Sequence, residues 1–217
     1  MQAKKTLSHI RHFIWDFDGT LFDSYPIIIG NLRSALQAYG FDCNPVEAMG
    51  LMLQNITVAH NYYADKFSIP REELVTVYNR FHQEVNPQLL AKPMADIEKV
   101  LARICETGRK NYIFTHRKYS TTLDYLKKYG LDRYFSEIVG PEHPHFAYKP
   151  SPDAILYLVK KYGMAAQDAV MVGDRNCDLG SARTAQIGTV HYVCSAVPEH
   201  LQADFRVESY ADMLNIL

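Results

Sequence analysis

The apolar positions of this chain change rhythm twice. A short apolar run, Phe13-Ile14-Trp15, is closed by Asp16 and then Asp18-Gly19. Its length and aromatic content predict a strand. Helical spacing then takes over. Ile28, Leu32, Ala35, Leu36 and Tyr39 form one stripe ending at Gly40. Val46, Met49, Leu53, Ile56, His60, Tyr63 and Phe67 form a second. Leu74, Val77, Tyr78, Phe81 and Val85 form a third, led in by Pro70. No strand pattern interrupts residues 26–90.

Beyond Lys92-Pro93 the two rhythms alternate. A helix carrying Ile97, Val100, Leu101 and Ile104 stops near Gly108, and the strand Tyr112-Ile113-Phe114 ends at Thr115. Another helix runs to Gly130, and Ile138-Val139 makes a brief strand ending at Gly140. Ser151-Pro152 reads as an N-cap with proline in the first helical position, opening a helix with Ile155, Leu158, Val159 and Tyr162. The strand Ala169-Val172, a short helix from Asp178 to Ala185, the strand Thr189-Val193 and a last helix from Tyr210 to Ile216 complete the pattern. Alternation of this kind predicts an α/β fold: a doubly wound parallel sheet with helices on both faces. The purely helical stretch predicts a second domain, residues 24–91, inserted into a discontinuous core made of 1–23 and 92–217.

Composition adds mostly exclusions. With 23 Lys+Arg against 24 Asp+Glu, the formal charge is -1. Such a chain lacks the basic footprint of a nucleic-acid binder, so no nucleic-acid partner is expected. Cys43, Cys105, Cys177 and Cys194 form no CxxC pair, which argues against both a zinc site and a disulfide framework. His9, Arg11 and His12 fall where a signal peptide needs apolar residues, and no stretch approaches the roughly 20 apolar residues of a membrane span. The expected setting is the cytoplasm, with no membrane partner.

Ligands of doubly wound sheets bind at the carboxyl ends of the strands. Here those ends carry Asp16 and Asp18, then Thr115, His116 and Arg117, then Lys149 in the loop after Ile138-Val139, and Asp174 and Asp178 after Val170-Met171-Val172. Taken singly, each has a plain structural reading: Asp-Gly is a common turn, an acidic residue suits a helix N-terminus, and Lys149-Pro150-Ser151-Pro152 is a helix entry. Taken together, charges at this density repel one another unless a cation or a charged ligand sits among them.

The segments DFDGTLFDS, the strand ending in Thr115, KPSPDAI and VGDRNCD, in this order, resemble the haloacid dehalogenase-like superfamily of phosphohydrolases. The likeness spans essentially the whole chain, and the helical insertion is similar to the small α-helical cap of phosphoglycolate phosphatase-like and β-phosphoglucomutase-like members. The resemblance implies a Mg²⁺-dependent phosphatase of small phosphorylated metabolites. Asp16 matches the nucleophile, which forms an aspartyl-phosphate. Asp18 matches the general acid/base. Asp16, the backbone carbonyl of Asp18, and Asp174 match the Mg²⁺ ligands. Thr115 and Lys149 match the groups that hold the phosphoryl oxygens and neutralise them, with His116 placed beside them in the phosphate-binding set. Asp178 is expected to orient Lys149 or a metal-bound water, and Gly19 to let the chain turn so that Asp18 faces the phosphate. An acid two residues after the first aspartate separates phosphoryl chemistry from dehalogenation, and Thr20 favours phosphatase over mutase members. The rivals are a β-phosphoglucomutase-like phosphomutase and a weakly active binding or regulatory module on this scaffold. A monomer or weak homodimer is the default assembly.

Other residues invite attention. His116-Arg117 is placed to meet a leaving group or to act from behind the site. His143-Pro144-His145 has the spacing of a metal pair and the composition of a solvated loop. Cys177 lies near a helix N-terminus, which can lower a thiol pKa, but packing is the better account of it. Met49, Met52, Tyr62 and Tyr63 either line a pocket or form the small domain's core. Arg33, Gln54, Asn55 and His60 are polar candidates for specificity, and Lys127-Lys128 and Lys160-Lys161 read as solvated helix faces.

Overall fold

The computed structural model describes residues 6–85, 90–143, 146–194 and 201–217. The chain divides into two compact units: one comprises the chain up to Asp23 together with Pro93–Leu217, the other Ser24–Lys92.

The first unit is built on a six-stranded sheet. Its strands are β1 (His12–Trp15), β4 (Lys110–Phe114), β5 (Phe135–Val139), β6 (Ala169–Gly173), β7 (Gly188–Tyr192) and β8 (Phe205–Val207), in the spatial order β5-β4-β1-β6-β7-β8. Every pairing is parallel. Helices α5 (Ile97–Glu106), α6 (Tyr119–Lys128), α7 (Asp153–Tyr162), α8 (Asn176–Thr184) and α9 (Tyr210–Leu214) complete it. The short strands β2 (Phe22–Asp23) and β3 (Lys92–Pro93) lie where the chain leaves this unit and returns. The doubly wound α/β architecture is therefore the one the alternating pattern predicts.

Helices on both faces explain the composition of the strands. A sheet buried on both sides needs apolar residues at successive positions rather than alternate ones. Phe13, Ile14 and Trp15 are fully buried, as are Val170, Met171 and Val172. Ile14, Tyr112 and Met171 pack with Ile155, Leu158 and Ala182 of α7 and α8 on one face. The buried indole of Trp15 donates to Asn111 Oδ1 at 2.9 Å, so this polar pair is satisfied within the sheet.

Several boundaries differ from the sequence pattern. Strand β8 carries no apolar run; it is a three-residue edge strand, Phe-Arg-Val, with its arginine exposed. Helix α7 begins at Asp153, one residue late. Ser151 Oγ accepts the Asp153 N–H at 3.3 Å, and Pro152 occupies the capping position.

The second unit holds α1 (Tyr25–Gln37), α2 (Pro45–Gln54), α3 (Ile56–Phe67) and α4 (Arg71–Val85). The stripe read as one helix from Val46 to Phe67 is two helices. Asn55 is extended (φ -170, ψ 143), ends α2, and accepts the Thr57 N–H at 2.8 Å as the N-cap of α3. The break takes Val46 and Ile56 out of the stripe and leaves them exposed. The core of this unit is Leu32, Ala35, Leu36, Ala48, Met52, Ala59, Tyr63, Leu74 and their neighbours. Met52 and Tyr63 are thus core residues, Met49 packs against that core, and Tyr62 is exposed with its hydroxyl on Glu47 at 2.6 Å. Arg33 forks onto Asp42 at 2.6 and 2.7 Å, and Gln54 bonds back to the Gly50 carbonyl at 3.4 Å. Among the described residues no helix is long and apolar enough to cross a membrane.

Candidate active site

Three neighbouring strands place the site. Trp15 pairs in register with Ile113 of β4 and Val172 of β6, so Asp16, Thr115 and Asp174 leave adjacent strands at the same edge. The Asp16 N–H still donates to the Val172 carbonyl at 2.9 Å, which anchors the nucleophile candidate at the last rung of the ladder.

The loop after β1 is a tight turn built by its backbone. The Phe17 carbonyl accepts N–H groups from Thr20, Leu21 and Phe22 at 3.0–3.4 Å, and Gly19 N–H donates to Phe22 O at 2.9 Å. Gly19 has φ +80, a left-handed conformation in which a side chain would be strained. Tyr210 fastens the turn by donating its hydroxyl to the Thr20 carbonyl at 2.7 Å. Thr20 Oγ1 in turn donates to Asp174 Oδ1 at 3.1 Å, linking the first acidic loop to the second. Tyr210 lies nearly 190 residues from the loop it holds, and nothing local in the sequence announces it.

Lys149 is the centre of the site's electrostatics. Its side chain is fully buried, and Nζ lies 2.5 Å from Asp16 Oδ1 and 2.7 Å from Asp178 Oδ1, with a further bond to the Phe114 carbonyl at 3.0 Å. Burial opposes charge on all three groups, and their mutual attraction offsets it. The two carboxylates hold the Lys149 ammonium above the ordinary lysine range despite its burial. Burial and the neighbouring Asp178 push Asp16 upward. Asp178 is also buried, but the charges of Lys149 and Arg175 and a backbone bond keep it low. That backbone bond runs from Arg175 N–H to Asp178 Oδ2 at 3.0 Å and closes the first turn of α8.

Gly173 makes the approach of Asp178 possible. A Cβ at this position would fall 2.7 Å from Asp178 Cγ and 2.8 Å from its Oδ2. Only glycine leaves that carboxylate room, a requirement that follows from the fold and not from any turn signal.

His116 follows Thr115 at the end of β4. Its Nε2 accepts the Lys149 backbone N–H at 2.7 Å. Burial, with help from the charges of Lys149 and Arg175, drives its pKa down to about 3, so the ring is neutral. His116 therefore holds the lysine loop through Nε2, which leaves the ring proton on Nδ1. Thr115 is buried and its Oγ1 accepts the Arg117 N–H at 3.0 Å. Arg117 itself pairs with Asp18, NH2 to Oδ1 at 2.6 Å. Arg175 lies 3.7 Å from Asp16 Oδ2, a further cation at the site that the sequence pattern does not single out.

Cys177 takes its structural reading, and only one histidine of the 143/145 pair lies among the described residues. Burial and Asp178 push the Cys177 thiol up to about 11, the opposite of an activated cysteine. His143 stacks on Phe146 with ring centroids 3.8 Å apart, while Pro144 and His145 lie outside the described residues.

Asp16, Asp174 and Asp178 can each bring a carboxylate oxygen within 4.8 Å of the others, all three buried. Among the described residues Asp16 Oδ2 has no hydrogen-bond partner. Three buried carboxylates against Lys149 and a more distant Arg175 suit a hard divalent cation of the Mg²⁺ kind.

Comparison with known proteins identifies the family. The profile of the haloacid dehalogenase-like hydrolase family matches residues 13–192. The chain is 26% identical over 221 residues to pyrophosphatase PpaX of Listeria innocua serovar 6a, covering 96% of each chain. It is 26% identical over 213 residues to phosphoglycolate phosphatase of Aquifex aeolicus, covering 96% of this chain and 97% of that one. Among solved structures, a predicted phosphoglycolate phosphatase from Haemophilus somnus 129PT superposes with a TM-score of 0.83 at 20% identity, over 96% of this chain and 98% of that one.

Proposed function

The chain belongs to the haloacid dehalogenase-like hydrolase family, and from that premise we propose that it is a Mg²⁺-dependent phosphatase of a small phosphorylated metabolite. One observation carries the reading: Asp16, at the end of the central strand, faces Lys149, Asp174 and Asp178 in a buried cluster, its Oδ2 without a hydrogen-bond partner among the described residues. The relatives, a pyrophosphatase and a phosphoglycolate phosphatase, support a phosphoryl substrate.

In this reading Asp16 attacks phosphorus in line, the P–O bond to the leaving group breaks, and an aspartyl-phosphate forms. Asp18 protonates the departing oxygen, then takes a proton from the water that attacks the intermediate and frees Asp16 and inorganic phosphate. Thr115 Oγ1 and the Lys149 ammonium hold the phosphoryl oxygens. Asp178 keeps Lys149 charged and fixed between two carboxylates. Asp16, the carbonyl of Asp18, and Asp174 are the proposed Mg²⁺ ligands, with Asp178 beside them. A bound Mg²⁺ supplies charge neutralisation between these carboxylates and the phosphate dianion. The helical segment 24–91 is proposed as the cap that selects the substrate, with hinges near residues 23–26 and 90–93.

A phosphate-release screen over many phosphorylated metabolites with Mg²⁺, blanked by Asp16→Asn, tests the reading. Turnover of one or a few esters, absent in the blank, supports it; turnover that survives in Asp16→Asn overturns it.

A further inference from the structure

We infer that Arg117 is a positioning residue that fixes the carboxylate of Asp18 for its proton transfers; the inference rests on the phosphatase reading. The guanidinium edge grips Asp18 through three contacts, NH2 to Oδ1 at 2.6 Å and Nε to Oδ1 and Oδ2 at 3.2 and 3.3 Å. Its own freedom is small. The Arg117 side chain is only 7% exposed, and its Cζ lies 5.4 Å from the Phe17 ring and 5.3 Å from the Tyr125 ring. The backbone of Arg117 is tied to Thr115 by the 3.0 Å bond to Oγ1.

The chain of constraint runs from the core to the acid. Phe17 and Tyr125 are fully buried and meet edge to face at 5.8 Å, so the guanidinium rests against fixed walls. Asp18 is the more exposed partner at 19%, and it follows the Gly19 turn. An aspartate so placed would otherwise exchange between staggered rotamers, and each productive encounter would carry the entropy of fixing it. A forked guanidinium determines the plane of the carboxylate as well as its position, which a lysine ammonium, a single point charge, does not. A salt bridge there for stability alone would act on folding without regard to the substrate's leaving group. A positioning role predicts a selective effect.

The test compares wild type, Arg117→Met, Arg117→Lys, Asp18→Asn and the double variant Arg117→Met/Asp18→Asn. Two substrates are used with Mg²⁺: p-nitrophenyl phosphate, whose leaving group departs with little need of a proton, and the best alkyl phosphate from the release screen. The expected result is a fall of about 100-fold in kcat/KM for the alkyl ester in Arg117→Met, against about threefold for p-nitrophenyl phosphate. Arg117→Lys recovers part of the loss, and the double variant is no slower than Asp18→Asn alone. Equal losses on both esters, or additive losses in the double variant, overturn the inference. A crystal structure of Arg117→Met supplies a readout independent of turnover: Asp18 should leave its present rotamer while the sheet is unchanged, and an unmoved carboxylate overturns the inference. Failure of the phosphatase reading looks different, because Asp16→Asn would then keep wild-type turnover while the Asp18 rotamer still changed in Arg117→Met.

Discussion

Lys149 Nζ and Asp16 Oδ1 lie 2.5 Å apart with neither side chain open to solvent, although 133 residues separate them in the chain. The same ammonium reaches Asp178 at 2.7 Å, so one cation serves two buried carboxylates. Removing it leaves two like charges facing each other without solvent. Lys149→Met is expected to destabilise the fold by about 3 kcal/mol, because a broken buried pair strands its partners' charge. Urea denaturation monitored by circular dichroism measures this, and Mg²⁺ should return part of the loss where EDTA does not. A midpoint equal to wild type in EDTA would contradict the arrangement.

The proposed function divides the chemistry among the carboxylates. Asp16→Asn should abolish phosphate release, and Asp18→Asn should lower it by about 100-fold or more, the usual contribution of a general acid/base. Asp174→Asn is expected instead to raise the Mg²⁺ concentration needed for half-maximal activity, which a metal titration reads directly. EDTA should silence the wild type and Mg²⁺ restore it. The proposed mechanism has two in-line displacements in succession, so hydrolysis of an isotopically chiral phosphate ester should proceed with retention at phosphorus.

Gly173→Ala tests whether glycine is there to admit Asp178. Its methyl would sit within 2.8 Å of the Asp178 carboxylate. Either the carboxylate leaves Lys149 or the end of β6 shifts. Expected outcomes are a lower melting temperature, a stability loss of about 1–3 kcal/mol as in other overpacked sites, and a higher Mg²⁺ requirement. Gly180→Ala, whose added methyl would meet only Pro150 Cβ at 3.4 Å, is the matched control and should leave the metal titration unchanged.

The helical unit carries its own acid sensitivity. His60 is 5% exposed, its Nε2 has no hydrogen-bond partner among the described residues, and its ring meets Tyr78 edge-on at 4.7 Å. Burial, reinforced by the charge of Arg71, lowers its pKa from 6.5 to about 4. Between those values the unfolded chain binds a proton that the folded chain does not, so stability falls as pH drops through this window. Thermal melts of wild type and His60→Phe at pH 7 and pH 4.5 should show the difference moving in the variant's favour by ~1–3 kcal/mol. No change in that difference would show that the ring is charged or solvated in the folded state.

Local pattern was enough for the fold because each strand of a doubly covered sheet must be apolar throughout, and each helix must be striped. Phe13-Ile14-Trp15 and Val170-Met171-Val172 could be read without partners. The extended break at Asn55 was hidden, because the apolar spacing runs through it almost unchanged while the capping bond to Thr57 is a matter of one dihedral pair. The strand at Phe205–Val207 was hidden for a different reason: an edge strand buries one side only and needs few apolar residues.

The acidic and basic residues at the strand ends, and the order that marks the family, were present in the sequence alone. Which of them touch was decided by tertiary structure. Arg117 meets Asp18 across 99 residues, Lys149 meets Asp16 across 133, and Tyr210 holds the Thr20 carbonyl across 190. The strand order β4-β1-β6 makes sequence-distant loops into neighbours, and burial then gives each charge only the partners within reach. Residue type and spacing encode what a side chain can do; the low-dielectric pocket formed by packing selects which partner it does it with.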